Sequence, residues 1–217
     1  MRVLDVQRRC IVAAVVSLAC YLALGAAVAH AEPAFVERAA VALRGHGVAA
    51  AELFTRVGRF DVYAVVCACL LGFALVRRAW LGRVALAVVT LVAAWQTSDL
   101  LKQVFGRPRP EHMIGVRETS YSYASGHATL ALAFYGLLAY YVATGARARS
   151  GLPAGPVLLG GLIAAIGWSR LALGAHYLTD VLGGYLLGAA FLCTAILVDV
   201  SLRSHGPART GALAQKS

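Results

Sequence analysis

Charge is scarce in this chain. Of its 217 residues only 14% are Asp, Glu, Lys or Arg, against about 25% in an ordinary soluble domain. Acid is scarcer still, with 10 Asp and Glu against 20 Lys and Arg. Hydrophobic residues make up 60% and the mean hydropathy is +0.72. A soluble globule of this size has too little interior to hide that much apolar surface. The composition also excludes disorder, collagen and coiled coil. Cysteine is limited to five residues, Cys10, Cys20, Cys67, Cys69 and Cys193, all inside apolar runs and without metal or disulfide-framework spacing. Cys67 and Cys69 are two apart and do not face each other on a helix. All five read as small apolar packing residues, silent about redox compartment. There is no internal repeat. A polytopic membrane protein is the class that survives.

A helix needs roughly 20 residues to cross the hydrocarbon layer. Charge-free apolar runs predict six crossings, at residues 10–31, 60–76, 84–101, 127–146, 150–169 and 181–198. The second is the shortest. Arg8-Arg9 before the first run and Ala29-His30-Ala31 at its end resemble a secretory signal. Its 22 charge-free residues exceed the about 7–15 of a signal's apolar core, so a retained helix is expected. With the N-terminus inside, the inside segments carry eleven Lys and Arg and the outside segments nine. The short inside loops hold almost no acid, which sets the orientation. In the first outside loop, residues 32–59, Phe35, Val36, Ala39, Ala40 and Leu43 recur at helical spacing. So do Leu53, Phe54 and Val57, and Gly45-His46-Gly47 separates the two pieces. Short helices lying in the membrane interface are expected there. The fold class is therefore all-α, a polytopic membrane bundle of six helices. One membrane-embedded domain is expected over 1–199, with a loose polar tail over 200–217.

Three polar clusters fall at the outside ends of these spans, where ionisable residues are functional candidates. His176 and Asp180 are four apart, so on a helix they share a face. A carboxylate on one imidazole nitrogen sets the tautomer and sharpens the other as base or nucleophile. Ser125, Gly126 and His127 open the fourth span. A helix start offers unpaired N–H groups and a positive dipole end to an anion, and Gly admits close approach. Lys102 and Arg109 follow the third span, with Arg107 and Arg117 nearby, and guanidinium forks suit phosphate. Taken singly, each cluster also reads as ordinary: a helix-edge pair, a serine cap, or snorkelling cations. Asp99, three before Lys102, is a simple ion-pair partner for it.

Together the clusters run Lys102-x6-Arg109-Pro110, Ala124-Ser125-Gly126-His127 and Ser169-Arg170-x5-His176-x3-Asp180. This ordered pattern resembles the type 2 phosphatidic acid phosphatase superfamily, membrane relatives of the vanadium haloperoxidases. Its motifs are K-x6-R-P, P-S-G-H and S-R-x5-H-x3-D; Ala124 stands where the family has proline. The resemblance implies a membrane lipid phosphatase with His176 as nucleophile, Asp180 orienting it and His127 as acid and base. It implies that Lys102, Arg109, Arg170, Ser125 and Gly126 hold the phosphate. Phosphoryl transfer asks chiefly for positioning and charge neutralisation, which three fixed cations supply. Asp99, Glu111, Glu118 and Asp180 are scattered and outnumbered by cations, so no metal and no cofactor is expected. Expected partners are a lipid phosphate of phosphatidic acid, phosphatidylglycerol phosphate or undecaprenyl diphosphate type, and membrane lipids. Nucleic acid is not expected, and a homodimer is left open. The expected location is the cell (inner) membrane, with the site on the extracytoplasmic face. The alternatives are a phosphotransferase on the same scaffold, or an anion channel, which would need polar residues deep in the spans.

Smaller features carry packing expectations. Gly184-x3-Gly188 predicts close helix contact. Trp80 and Trp168 are expected as interface anchors and Trp95 as interior packing. Tyr121 and Tyr123 are expected to pack loops, with a substrate entrance as the alternative.

Overall fold

A computed structural model of the chain describes residues 3–29, 34–111, 113–115, 118–145 and 154–204. Among these residues every regular element is helical. In chain order they are α1 (Val3–Val28), α2 (Ala34–Leu43), α3 (Val48–Val57), α4 (Phe60–Val76), α5 (Leu81–Phe105), α6 (Gly126–Thr144), α7 (Ala154–Ala172) and α8 (Leu178–Ser204). A 3₁₀ turn at Arg78–Trp80 leads into α5, and α6 contains a π-helical stretch at Ala131–Tyr135.

Helices α1, α5, α6, α7 and α8 are long and apolar enough to cross a membrane. The 17 residues of α4 lie at the low end of what a crossing needs. It forms a sixth candidate together with α3, from which it bends by 49°. Five of the six expected spans thus qualify on their own, and the second does so only as part of the bent α3–α4 pair; its bounds match the expected 60–76, while other ends differ. Arg8 and Arg9 lie inside α1, α7 is shifted toward Ala172, and α8 runs to Ser204, into the segment expected to be loose. A search for charge-free runs stops at the first charge, whereas backbone hydrogen bonding does not. Long basic side chains reach water from within a helix end, and in α8 Arg203 pairs with Asp199 at 2.6 Å one turn back. Gln7 of α1 also donates to Ser201 at 2.9 Å. His30, Ala31, Arg117 and residues 205–217 lie outside the described residues.

Helix α1 packs along α8. An aromatic group of Tyr21, Phe105 and Tyr123 fixes α1 against the end of α5, and the Tyr123 hydroxyl donates to Tyr21 O at 2.6 Å. Tyr123 is therefore packing, while Tyr121 is exposed. The main core joins Tyr63, Leu91, Phe134, Leu137 and Ile166. The expected contact at Gly184 and Gly188 is backbone-tight. A Cβ on Gly184 would lie 2.6 Å from Ser125 O, and one on Gly188 2.7 Å from Thr129 O. This closeness draws α6 onto α8 where their site residues sit. Large apolar side chains such as Val15, Leu71 and Leu158 remain exposed, as the outer face of a membrane bundle requires.

The tryptophans differ in part from expectation. Trp95 is exposed and lies against Phe60, ring centroids 4.6 Å apart, instead of filling the interior. Trp168 packs against the cluster of Ala51, Ala172 and Leu173. Trp80 lies beside Phe73, with the Arg83 guanidinium 4.8 Å over its ring. The five cysteines are free; Cys10 is buried and Cys20 and Cys69 are exposed.

Candidate active site

The end of α5, the start of α6, the end of α7 and the start of α8 meet at one end of the bundle. Gly106 makes this possible. It adopts φ +59, a left-handed geometry that glycine tolerates without cost, and its N–H closes α5 on Lys102 O at 3.0 Å. The chain then crosses the bundle end. Ser122 N–H donates to Arg107 O at 2.8 Å, and Ser125 N–H donates to Asp180 O at 3.0 Å.

His176 lies in the turn before α8, and Asp180 in the first turn of that helix. The two therefore do not share a helix face as their spacing suggested. Asp180 instead caps the turn, accepting Tyr177 N–H at 2.9 Å on Oδ2. Its Oδ2 lies 3.4 Å from His176 Nδ1 and accepts the Ser122 hydroxyl at 2.5 Å. Arg107 Nη1 donates to Oδ1 at 2.6 Å and to Thr179 Oγ1 at 2.8 Å. The Arg107 guanidinium also lies 4.3 Å over the Tyr177 ring. Arg107 and Asp180 are 2% and 0% exposed, so each charge is compensated by the other in a dry setting. The sequence grouped Arg107 with the phosphate-directed cations; the fold turns it to Asp180.

The other face of His176 meets Arg109, whose Nη1 is 3.1 Å from Nε2. Guanidinium can only donate. Nε2 is therefore the unprotonated acceptor, its lone pair turned to Arg109, and the ring proton resides on Nδ1, toward Asp180 and Ser122. Burial pushes the His176 pKa well below its usual value, and the charges of Arg109 and Arg170 push it the same way. The imidazole is neutral at neutral pH.

Arg109 also donates to Ser120 O at 2.6 Å, Ala175 O at 3.0 Å and Ser120 Oγ at 2.9 Å. Burial lowers its pKa, and nearby carboxylates oppose that shift. Arg170, at the end of α7, donates to Thr55 Oγ1 of α3 at 2.5 Å. Helix α3 thus supports the site. Glu118 bridges the two arginines, its Oε2 2.7 Å from Arg109 Nη2 and its Oε1 paired with Arg170 Nη2. Lys102 is buried, and among the described residues no carboxylate lies within ion-pair distance of it. Asp99 is exposed and makes no such pair.

Among the described residues, three buried polar atoms near these cations lack a hydrogen-bond partner: Ser98 Oγ, Ser125 Oγ and Arg170 Nε. Ser125 precedes α6 without capping it. The open space at Gly126 is flanked by Lys102 Nζ and Ser98 Oγ, which would lie 3.7 and 3.8 Å from a Cβ there. Buried polar groups are normally satisfied, so these orphans mark a place for a polar ligand. Ser169, by contrast, bonds back to Ile166 O at 2.6 Å. His127 rests against the α3–α4 bend, its Cδ2 2.8 Å from where a Gly58 Cβ would be. Lys102, Gly126, His127 and His176 line one cavity of about 290 Å³, whose wall also includes Phe60 and Trp95. No group of three His, Cys, Asp or Glu suited to a metal occurs among the described residues.

The structure thus brings together His176, Asp180, His127, Lys102, Arg109, Arg170, Ser125 and Gly126 from three separate stretches of chain. Sequence reasoning did not assign Ser98, Thr55, Ser120, Ser122 or Thr179 to this site, and it counted Glu118 only as a stray acid. Their types are common and unspaced, so no pattern singles them out. Ser98 has a faint signal, lying one turn before Lys102 on α5.

Fold and site define a polytopic helical membrane protein with cations and orphaned donors gathered around a buried histidine at one end of the bundle. The model of the PAP2 superfamily matches residues 82–202, and the chain belongs to that superfamily. It is similar to phosphatidylglycerophosphatase B of Bacillus subtilis, 37% identical over 42% of this chain and 45% of the relative. It is 33% identical to a lipid A 1-phosphatase of Rhizobium johnstonii over 54% of this chain and 48% of that protein. It is 29% identical to an undecaprenyl-diphosphatase of Sulfolobus acidocaldarius over 70% of this chain and 69% of that protein. The chain thus spans about half the length of the first two of these relatives. In fold it matches the crystal structure of a transmembrane PAP2-type phosphatidylglycerolphosphate phosphatase from Bacillus subtilis. The TM-score is 0.76, with 23% identity, over 90% of this chain and 98% of the other.

Proposed function

We propose that the protein is a metal-independent phosphatase of lipid phosphates or diphosphates, working through a phosphohistidine at His176. The observation that carries this reading is the buried His176, its Nε2 3.1 Å from Arg109 Nη1, in one cavity with Lys102 and His127. Lys102, Arg109 and Arg170 neutralise the phosphoryl oxygens, and Ser125 Oγ and the Gly126 N–H add donors. Arg109 turns its N–H from Nε2 to a phosphoryl oxygen, which frees the Nε2 lone pair to attack phosphorus; a P–N bond forms as the P–O bond to the lipid breaks. His127 gives that leaving oxygen its proton. Water then attacks phosphorus, passing a proton to His127, and the P–N bond breaks to release inorganic phosphate. Asp180, steadied by Arg107 and Ser122, holds the Nδ1 proton and balances the positive charge that develops on the ring. Fixed dipoles and cations aimed at the phosphoryl group do the main work.

The names of the relatives support a lipid substrate. So does the cavity wall, where Phe60 and Trp95 are exposed between α4 and α5. A lipid in that leaflet reaches the cations sideways while its tail stays among the helices. The basic balance of the loops supports reading this end of the bundle as extracytoplasmic.

The test is phosphate release by the purified protein in detergent with EDTA, from phosphatidic acid, phosphatidylglycerol phosphate and undecaprenyl diphosphate. Release is expected to survive EDTA, to disappear in His176→Ala and to be accompanied by an acid-labile phosphoenzyme. Near-normal release by His176→Ala overturns the nucleophile; release that needs a divalent ion overturns metal independence.

A further inference from the structure

The carboxylate of Glu118 occupies a place that the proposed reaction needs for its substrate. The loop between α5 and α6 carries it. One oxygen lies 2.7 Å from Arg109 Nη2 and the other pairs with Arg170 Nη2. The second η nitrogen of Arg109 lies 3.1 Å from His176 Nε2. Two oxygens on a single atom, shared between two guanidinium forks beside the attacking nitrogen, reproduce the contacts of two phosphoryl oxygens. Among the described residues no other carboxylate pairs with Arg109 or Arg170.

Glu118 also stands where two cavities meet. It lines the 290 Å³ cavity of His176 and Lys102, and a second of about 440 Å³ lined by Thr55, Arg56, Arg59 and Arg170. Its side chain is 30% exposed, which leaves it a way out. Burial alone would favour the neutral acid, but the guanidinium charges of Arg170 and Arg109 hold its pKa down to about 2. The group is an anion throughout the working range.

We propose that Glu118 is a resident stand-in for the phosphoryl group, which substrate phosphate displaces and which returns to expel inorganic phosphate. This rests on reading the site as an oxyanion site. Without substrate, Lys102, Arg109 and Arg170 would leave three cations crowded in a poorly hydrated space, and repulsion between them is costly there. Glu118 compensates part of that charge. An incoming phosphate brings its own negative charge, so carboxylate and phosphate exclude each other, and Glu118 swings into the 440 Å³ cavity. The exchange lowers affinity for every oxyanion, product included, and so keeps inorganic phosphate from stalling the enzyme.

Binding of orthovanadate and of inorganic phosphate to the full-length protein in detergent tests this, by titration calorimetry and by inhibition of turnover. Glu118→Gln keeps the shape and removes the charge. It is expected to tighten both anions about tenfold, equivalent to about 1.4 kcal/mol, and to lower KM for the lipid. Glu118→Asp, too short to span both guanidinium groups, is expected to tighten them about threefold, near half that free energy. It carries the test if Glu118→Gln does not fold. Unchanged or weaker anion binding in the folded variants, with the wild type still binding, overturns the stand-in and leaves the oxyanion site intact. Absence of binding in wild type and variants alike overturns the oxyanion reading itself, and the stand-in with it.

Discussion

Replacing Arg107 by Met removes the charge partner of a fully buried aspartate while keeping an unbranched apolar stem in its place. Three interactions are lost together: the 2.6 Å bond to Asp180 Oδ1, the 2.8 Å bond to Thr179 Oγ1 and the stacking 4.3 Å over Tyr177. Breaking one side of a buried pair costs about 3–5 kcal/mol, because the remaining charge is stranded. Asp180 keeps Ser122 Oγ at 2.5 Å, Tyr177 N–H at 2.9 Å and the longer His176 Nδ1 contact at 3.4 Å, so the lower end of that range is expected. Adding Asp180→Asn removes the stranded charge as well. The double variant is then expected to be more stable than the sum of the single losses by about 0.5–3 kcal/mol, the usual size of coupling between residues in contact. The assay is reversible unfolding followed by helical circular dichroism in one fixed detergent mixture, on the wild type and all three variants. Phosphate release is measured alongside, and Arg107→Met should reduce kcat because Asp180 no longer holds its orientation. Strict additivity of the two substitutions, or a loss below about 1 kcal/mol for Arg107→Met, would refute the reasoning, since the buried-pair penalty could not then be present.

Further outcomes concern pH and helix packing. Because burial and the arginines depress the His176 pKa, the imidazole stays unprotonated below the usual value of about 6.5. The acid limb of kcat/KM should therefore lie below pH 6.5, and a limb at or above it would contradict a neutral, arginine-flanked nucleophile. The same depression means that the unfolded chain binds a proton that the native state refuses, so this residue's share of stability is present above about pH 6.5 and declines as pH falls below it. Gly184→Ala should destabilise by about 1–3 kcal/mol through overpacking, since its new methyl meets Ser125 O at 2.6 Å. Gly160→Ala on α7, with nothing within 4 Å, should stay within about 0.5 kcal/mol of the wild type in the same unfolding assay.

Much of the architecture was legible in the chain. Long charge-free runs have few other uses than crossing a bilayer, so five of the expected spans follow from composition and length alone, while the second depends on its bend against α3. The Gly45-His46-Gly47 break likewise separated α2 from α3 correctly. Span ends were less legible, as Arg8, Arg9 and Ser204 show, because charge marks the water boundary and helical hydrogen bonding continues past it. The pair of His176 and Asp180 was legible as a spacing but not as a geometry. Four residues apart fits a helix face, yet the chain realises the contact through a capped turn.

Around the candidate site, the chain by itself determined which ionisable residues stand at the ends of spans, and that they face one side of the bundle. Order and spacing of Lys102, Arg109, His127, Arg170 and His176 carried that. Only the tertiary structure decided how those charges are divided. Arg107 and Arg109 are two residues apart and chemically identical, yet Arg107 neutralises Asp180 behind the histidine and Arg109 meets its Nε2. Residues 106–125 have no helical period, so no sequence rule says which way each side chain turns. For the described residues among them, direction is set by the Gly106 reversal and by backbone bonds to Asp180 and Leu173, contacts between segments more than fifty residues apart that exist only once the bundle has closed.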